Sequence, residues 1–250
     1  MQAMLSRTAA IARRVLRQVL RDRRFLALSI MAPLLIIFLL KVFFDSLESP
    51  FFKPTEFIIP VGAFVVHFIT YVLCAIVLVR ERTAHTLTRM FVNGYRPVEI
   101  IGGYVLAYTV LATVQALLVL TELSLLFDLG YSIGTLLSLY LVIWLLAVIS
   151  IALGIFVSNF ARNEGQVFPF IPLIILPSVF LSGLLISVDR LPTWAQWLGR
   201  VTPLFYANQV VQNLIKPGGA LSDNWAVFAG LPIYGIVVLV LATRTLHEWD

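Results

Sequence analysis

Charge is what this chain has least of. Only 12% of its 250 residues are Asp, Glu, Lys or Arg, about half the share of an ordinary soluble domain. Cysteine is nearly absent too: Cys74 stands alone inside an apolar run. An intrachain disulfide is excluded, and Cys74 reads as a small core residue. The three lysines, Lys41, Lys53 and Lys216, fall in no G-x-x-x-x-G-K-[ST] phosphate loop, so the chain is not expected to hydrolyse ATP alone. The three histidines, His67, His85 and His247, are too scattered to suggest a metal cluster, and His247-Glu248 is followed by only two residues, too few for an H-E-x-x-H site. Ser182-Gly183 lacks the earlier glycine of a rhomboid-like serine protease. No Thr-Val-Gly-Tyr-Gly filter appears. These absences argue against an intramembrane enzyme and a potassium-type channel.

What is present is apolar. Hydrophobic residues make up 60% of the chain, and the mean hydropathy is +0.95. The runs are continuous rather than alternating, which favours helical spans over a β-barrel. One helical span takes about 20 apolar residues. Six segments qualify: 25–44, 57–79, 101–127, 133–157, 166–188 and 226–243. No loop between them could hold a separate domain. The expected fold is all-α: a single transmembrane domain over 1–250 with six transmembrane helices.

Before the first span, residues 1–24 carry seven arginines against one acid, Asp22. Leu5, Ile11, Ala12, Val15, Leu16, Val19 and Leu20 recur at helical spacing, with Arg7, Arg14, Arg17, Arg21 and Arg24 on another face. That pattern predicts a basic amphipathic helix in the membrane interface. With no small-x-small site after a full-length apolar run, a cleaved signal peptide is not expected.

The net charge of +5 is read as a topology signal rather than a nucleic-acid footprint. With the N-terminus in the cytoplasm, the inner side receives Arg80, Arg82, Arg89, Arg96, Arg162 and Arg244 besides the first seven. The outer side receives Lys53, Arg190, Arg200 and Lys216. The bias predicts both termini inside, in a cell (inner) membrane.

Two connections stand out. Residues 80–100 place Ala84, Leu87, Met90 and Phe91 on one helical face, stopped by Asn93-Gly94, with Pro97 and Glu99 opening the next span. A short helix with an apolar knob could dock in a groove on another protein, or rest on lipid headgroups. Residues 182–216 hold two stretches, each about 11–14 residues and too short to span. They are split at Thr202-Pro203, with Pro192, Trp194, Trp197 and Tyr206 around the break. The pair fits a re-entrant hairpin over 189–216 or two helices lying flat on the outer surface.

Taken in order, these pieces resemble the type-2 permease family of ATP-binding cassette transporters, and more narrowly the half-size permeases of drug exporters. The matching residues are Arg21-Asp22, Pro33, Arg80-Glu81-Arg82, Thr86-Leu87, Glu99 and Gly102. In the C-terminal half they are Leu181-Ser182-Gly183-Leu184-Leu185, Leu191-Pro192, Trp194, Trp197-Leu198, Thr202-Pro203-Leu204 and Tyr206. Ala84-His85, Gly94 and Gly103 depart from the pattern, Gly103 standing where lysine is usual.

The resemblance implies an elbow helix at 1–24 and a coupling helix at 81–92. It implies two copies of a separate ATPase subunit, which would bind ATP and magnesium, and a second permease chain as homo- or heterodimer. The cargo would be a small hydrophobic or amphipathic, drug-like molecule moved outward. On that reading Leu87, Met90 and Phe91 form the docking knob, Glu81, Arg82 and Arg89 its polar rim, and Glu99 the start of the third span.

Within the spans, Phe64, His67, Tyr71, Phe168, Phe170 and Phe180 are either packed core or walls of a substrate pathway, and Lys41 and Glu122 either pair, contact substrate in that pathway, or snorkel outward. The same architecture could instead export lipid, polysaccharide or sodium, and an ATP-independent carrier is a further alternative.

Overall fold

The structure is a computed structural model that describes residues 2–46 and 54–246. His247 and Glu248 lie outside the described residues. Ten α-helices account for nearly all of it, and no strand occurs among the described residues. They are α1 (Gln2–Arg21), α2 (Arg23–Ser46), α3 (Pro54–Thr83), α4 (Thr86–Val92), α5 (Pro97–Leu126), α6 (Ile133–Ser158), α7 (Phe170–Leu181), α8 (Thr193–Gly199), α9 (Pro203–Leu214) and α10 (Trp225–Thr245). Six stretches are long and apolar enough to cross a membrane: Arg23–Ser46, Phe57–Thr83, Pro97–Leu126, Ile133–Ser158, Glu164–Leu181 and Leu221–Thr245. The six segments expected from hydropathy are therefore all present.

The fifth is the shortest. The expected segment was 166–188, but α7 spans Phe170–Leu181, about 18 Å at 1.5 Å per residue. Pro169 precedes the helix, and the chain turns at Ser182-Gly183. A 3-10 turn at Glu164–Val167 supplies the rest of the stretch.

Helix α6 is the centre of the bundle. It packs against α3, α5, α9 and α10, and its side chains Leu139, Val142, Ile143, Leu146 and Ile151 are buried. The α3–α6 pair is the closest. A Cβ placed on Gly154 would lie 2.7 Å from the Tyr71 carbonyl oxygen and 2.8 Å from the Ala75 nitrogen. Glycine there lets two backbones touch, the device membrane helices use where hydrophobic driving force between them is weak. Asn159 ties the same region to α10, donating Nδ2–H to the Ala242 carbonyl at 2.9 Å and to Thr245 Oγ1 at 3.0 Å.

Helix α1 is amphipathic, as its spacing predicts. Ile11, Val15 and Val19 are buried, and they pack along α5. Asp22 separates α1 from α2 and caps the latter, its Oδ1 accepting from the Phe25 N–H at 3.0 Å. Gly103 explains the tight seat of α1. A side chain there would bring its Cβ within 2.5 Å of Ile11 Cγ2 and 3.1 Å of the Thr8 carbonyl oxygen. The departure from the usual lysine at this position thus has a packing reason.

Helix α9 is inserted among α3, α6 and α10, burying Leu204, Phe205, Ala207, Val210, Val211 and Leu214. It also fixes the turn after α7: Asn208 Nδ2–H donates to the Ser182 carbonyl and Gln212 Nε2–H to the Gly183 carbonyl, both at 2.9 Å. Its partner is much shorter than the 11–14 residues expected. α8 is a seven-residue helix, capped by Pro192 in extended conformation and preceded by a 3-10 turn at Val188–Arg190. Pro192 lacks the N–H needed to continue that turn into a helix.

Candidate functional site

The connection between the second and third spans is built from α4 and the ends it joins. His85, at φ +54°, makes the left-handed turn from α3 into α4. Polar histidine tolerates that conformation better than a branched residue would. At the other end Tyr95 N–H donates to the Met90 carbonyl and Gly94 N–H to the Phe91 carbonyl, with Gly94 at φ +75°. That is a Schellman stop, and it accounts for Asn93-Gly94. Arg96 then caps α5, and Glu99 reaches back to the Arg96 N–H at 2.8 Å.

The apolar face of α4 points inward. Leu87 is 1% exposed and Met90 8%, and both belong to the main core. They do not form a protruding knob: the bundle beneath α4 supplies the apolar partner that their spacing demands. Phe91 is half-buried against the same core. The outer face carries Arg89, Asn93 and Val92, the last 82% exposed.

Glu81 and Arg82 are likewise internal rather than rim residues. Glu81 is buried and meets the Arg14 guanidinium from α1, Nη2 to Oε1 at 3.3 Å. The same Nη2 donates to the Tyr104 hydroxyl on α5 at 2.7 Å. Arg82 donates Nη1–H to the carbonyls of Ser158 and Ala161, at 3.1 and 2.6 Å. A cation there suits the C-terminal end of α6. Arg7, two turns before Arg14, donates to the Gly94 carbonyl at 2.9 Å and lies 3.9 Å from Glu99 Oε2 and 5.7 Å from the centre of the Tyr95 ring. Two arginines of α1 thus clasp both ends of the connection, and Arg80 Nε pairs with Glu164 beside it.

Sequence reading placed Arg7 and Arg14 on the basic face of an interfacial helix and gave Tyr95 and Tyr104 no role. The signal that could have found them was Gly102-Gly103. A pair of side-chain-free positions at a helix start marks where another helix lies close.

No group of three or more His, Cys, Asp or Glu residues positioned to hold a metal occurs among the described residues. The residues flanking α4 tie the connection to α1 through Arg7 and Arg14, to α5 through Tyr104 and to the end of α6 through Arg82.

The intramembrane candidates divide. His67 and Tyr71 are fully buried between α3 and α6, so packed core is where the structure places them. His67 Nδ1 lies 2.7 Å from Ser150 Oγ, and the Tyr71 hydroxyl donates to the Phe170 carbonyl at 3.1 Å. Phe64 stacks on Phe68. Phe168 and Phe180 are exposed on the α7 side, and Phe170 is half-buried. Lys41 and Glu122 form no ion pair. Lys41 is paired with Asp45 one turn on and lies 5.5 Å from the centre of the ring of Phe127, the residue that ends α5. Glu122 Oε2 is buried with no hydrogen bond among the described residues.

Around the break at Thr202-Pro203, Trp194 and Trp197 are exposed, and the Arg200 guanidinium lies 4.2 Å from the Trp197 ring centre. Thr202 is buried, donating Oγ1–H to the Gly199 carbonyl at 2.8 Å. Pro203 opens α9, and Tyr206 contacts the rings of Phe205 and Tyr234.

Six membrane-length helices, with an amphipathic helix before the first and a short helix after the second, define a polytopic membrane protein. The chain belongs to the ABC-2 type transporter family, whose profile matches residues 6–215. It is 25% identical over 177 residues to "ABC transporter G family member 20" of Dictyostelium discoideum, covering 69% of this chain and 24% of that protein. It is 23% identical over 146 residues to "Probable multidrug ABC transporter permease YbhR" of Escherichia coli K12, covering 58% of this chain and 39% of that one. The chain thus aligns with about a quarter to two fifths of these relatives' length. The family is a membrane component of ABC transporters and works with an ATPase subunit.

Proposed function

We propose that this chain is the permease subunit of an exporter for hydrophobic or amphipathic, drug-like molecules. It forms the pathway with a second permease chain, and two copies of a separate ATPase supply the energy. ATP and magnesium are bound by those partners. The observation that carries this reading is the clasped α4. The connection that carries the seven-residue α4, whose Arg89 and Val92 are exposed, is fixed to α1 by Arg7 at Gly94 and Arg14 at Glu81, and to the end of α6 by Arg82 at Ser158. A partner that moves the exposed edge would move α1, α3, α5 and α6 with it.

Phe91, Val92 and Arg89 form the docking edge in this reading, while Leu87, Met90, Glu81 and Arg82 transmit its motion. The pathway lies on the exposed side of α7, with Phe168 and Phe180 on its wall. His67 and Tyr71 would join the lining only if α3 and α6 parted. The hairpin built from α8 and α9 dips in from the outer surface, and both termini lie in the cytoplasm of the cell membrane. A multidrug permease among the relatives supports the drug-like cargo.

The test is reconstitution of the chain with its ATPase in liposomes. ATP hydrolysis stimulated by apolar compounds, with their ATP-dependent export, is the expected result. Stimulation by a polysaccharide, a lipid or sodium alone would replace the cargo assignment.

A further inference from the structure

Beside the clasp, between α1, α2, α3 and α5, lies a cavity of about 680 Å³. This is within the usual range for small-ligand sites. Its mouth carries Asp22, Arg24, Arg80 and Glu81, and its walls include Leu28, Val72, Ile76 and Tyr108. The carboxylates at the mouth are already engaged. Asp22 caps α2, and Glu81 takes both Arg14 contacts. The guanidinium groups are not. Arg24 makes no hydrogen bond or ion pair among the described residues. Arg80 engages only Nε, with Glu164, leaving its terminal nitrogens free. The hydrogen-bond donors left over beside the cavity are therefore guanidinium nitrogens, of the kind that bind phosphate oxygens.

From Arg80 to Val72 the α3 wall runs eight residues, about 12 Å, and it is apolar after Arg80: Val77, Ile76, Leu73 and Val72 all line the cavity. On the opposite wall the Tyr104 hydroxyl is already taken by Arg14, and Tyr108 supplies a second polar group. The Tyr108 hydroxyl has no hydrogen-bond partner among the described residues, and its ring is held edge-on by Phe25 at 5.8 Å. Leu28, 60% exposed, leaves the α2 side open to the surrounding hydrocarbon.

We propose that this cavity binds an anionic phospholipid. Arg24 and Arg80 hold the phosphate through forked, charge-assisted bonds. The Tyr108 hydroxyl donates to an ester carbonyl, and one acyl chain lies along Val72, Ile76 and Leu28. The lipid then sits against the Arg14–Glu81 pair and braces α1, so lipid composition tunes how firmly α1 is held. The proposal concerns the membrane domain itself, whatever cargo it carries.

The experiment places the full chain in phosphatidylcholine nanodiscs doped with phosphatidylglycerol and counts retained lipids by native mass spectrometry. Phosphatidylglycerol should be retained over phosphatidylcholine. R24Q/R80Q should cut that preference roughly tenfold, as expected for losing about one charge-assisted hydrogen bond. I76W, which fills the cavity and keeps both arginines, should also abolish retention. R13Q/R17Q, on the exposed face of α1, should leave it unchanged. Equal retention of the two lipids by the unaltered chain would overturn the proposal. So would full retention by R24Q/R80Q, or a loss in R13Q/R17Q as large as theirs. Displacement of phosphatidylglycerol by a drug-like compound with no preference for anions would make the cavity a cargo site instead.

Discussion

Arg14 and Glu81, 67 positions apart in the chain, meet at 3.3 Å beneath α4, and Tyr104 binds the same guanidinium at 2.7 Å. The Glu81 side chain is 7% exposed and that of Arg14 39%. Removing one partner leaves a nearly buried charge unmatched. The half-exposed arginine softens the cost, which is expected at about 1–2 kcal/mol. A double-mutant cycle of R14M and E81Q, read by thermal unfolding in detergent, should return a coupling of about 1 kcal/mol. Additive effects would mean that the pair contributes nothing beyond its separate contacts.

The two faces of α4 should behave differently. Leu87→Ala removes a fully buried side chain and should destabilise the protein by about 2–4 kcal/mol. Phe91→Asp, at the half-buried edge, should leave membrane insertion intact and uncouple ATP hydrolysis from transport in the assembled complex. ATPase assembly and export unchanged in F91D would remove α4 from the coupling path.

Gly103→Lys restores the residue usual in the family and should displace α1 from α5, because Ile11 already occupies the space of the first side-chain atom. Faster hydrogen exchange across residues 8–19, with no change in α10, is the expected signature. Protection equal to that of the unaltered chain would show that α1 finds another seat.

Gly154→Ala should be costly, about 1–3 kcal/mol, since the new methyl group meets backbone atoms of α3 that cannot yield. Gly62→Ala makes a still shorter contact, 2.5 Å, but with the terminal Cδ1 of Leu123. That side chain can rotate away, so the second substitution should be nearly silent. Thermal midpoints of the two variants, measured side by side, test whether backbone proximity sets the difference.

Cysteines at Val201 and Thr202 test the hairpin. Val201 is 65% exposed and Thr202 buried. Thr202→Cys should resist water-soluble maleimide, and Val201→Cys should be slow too if the tip dips below the outer surface. Rapid labelling of Val201→Cys from outside would favour helices lying flat.

The hydropathy runs alone determined the all-helical fold and the six spans, because hydrocarbon forces backbone polar groups to bond within each segment and leaves the chain little choice. Asn93-Gly94, Pro97 and Pro203 marked helix ends correctly, since stops depend on local backbone chemistry. The facing of α4 was not legible. Leu87 and Met90 form the same apolar stripe whether they point at a partner or at their own bundle, and only the placement of α4 over the core settles which. The same holds for Arg7 and Arg14. Their charge could be read in the sequence, but their partners Gly94, Glu99, Glu81 and Tyr104 are distant in the chain. Pairing at that distance is fixed by how α1 packs on α5, which is a property of the assembled helices and not of any one of them.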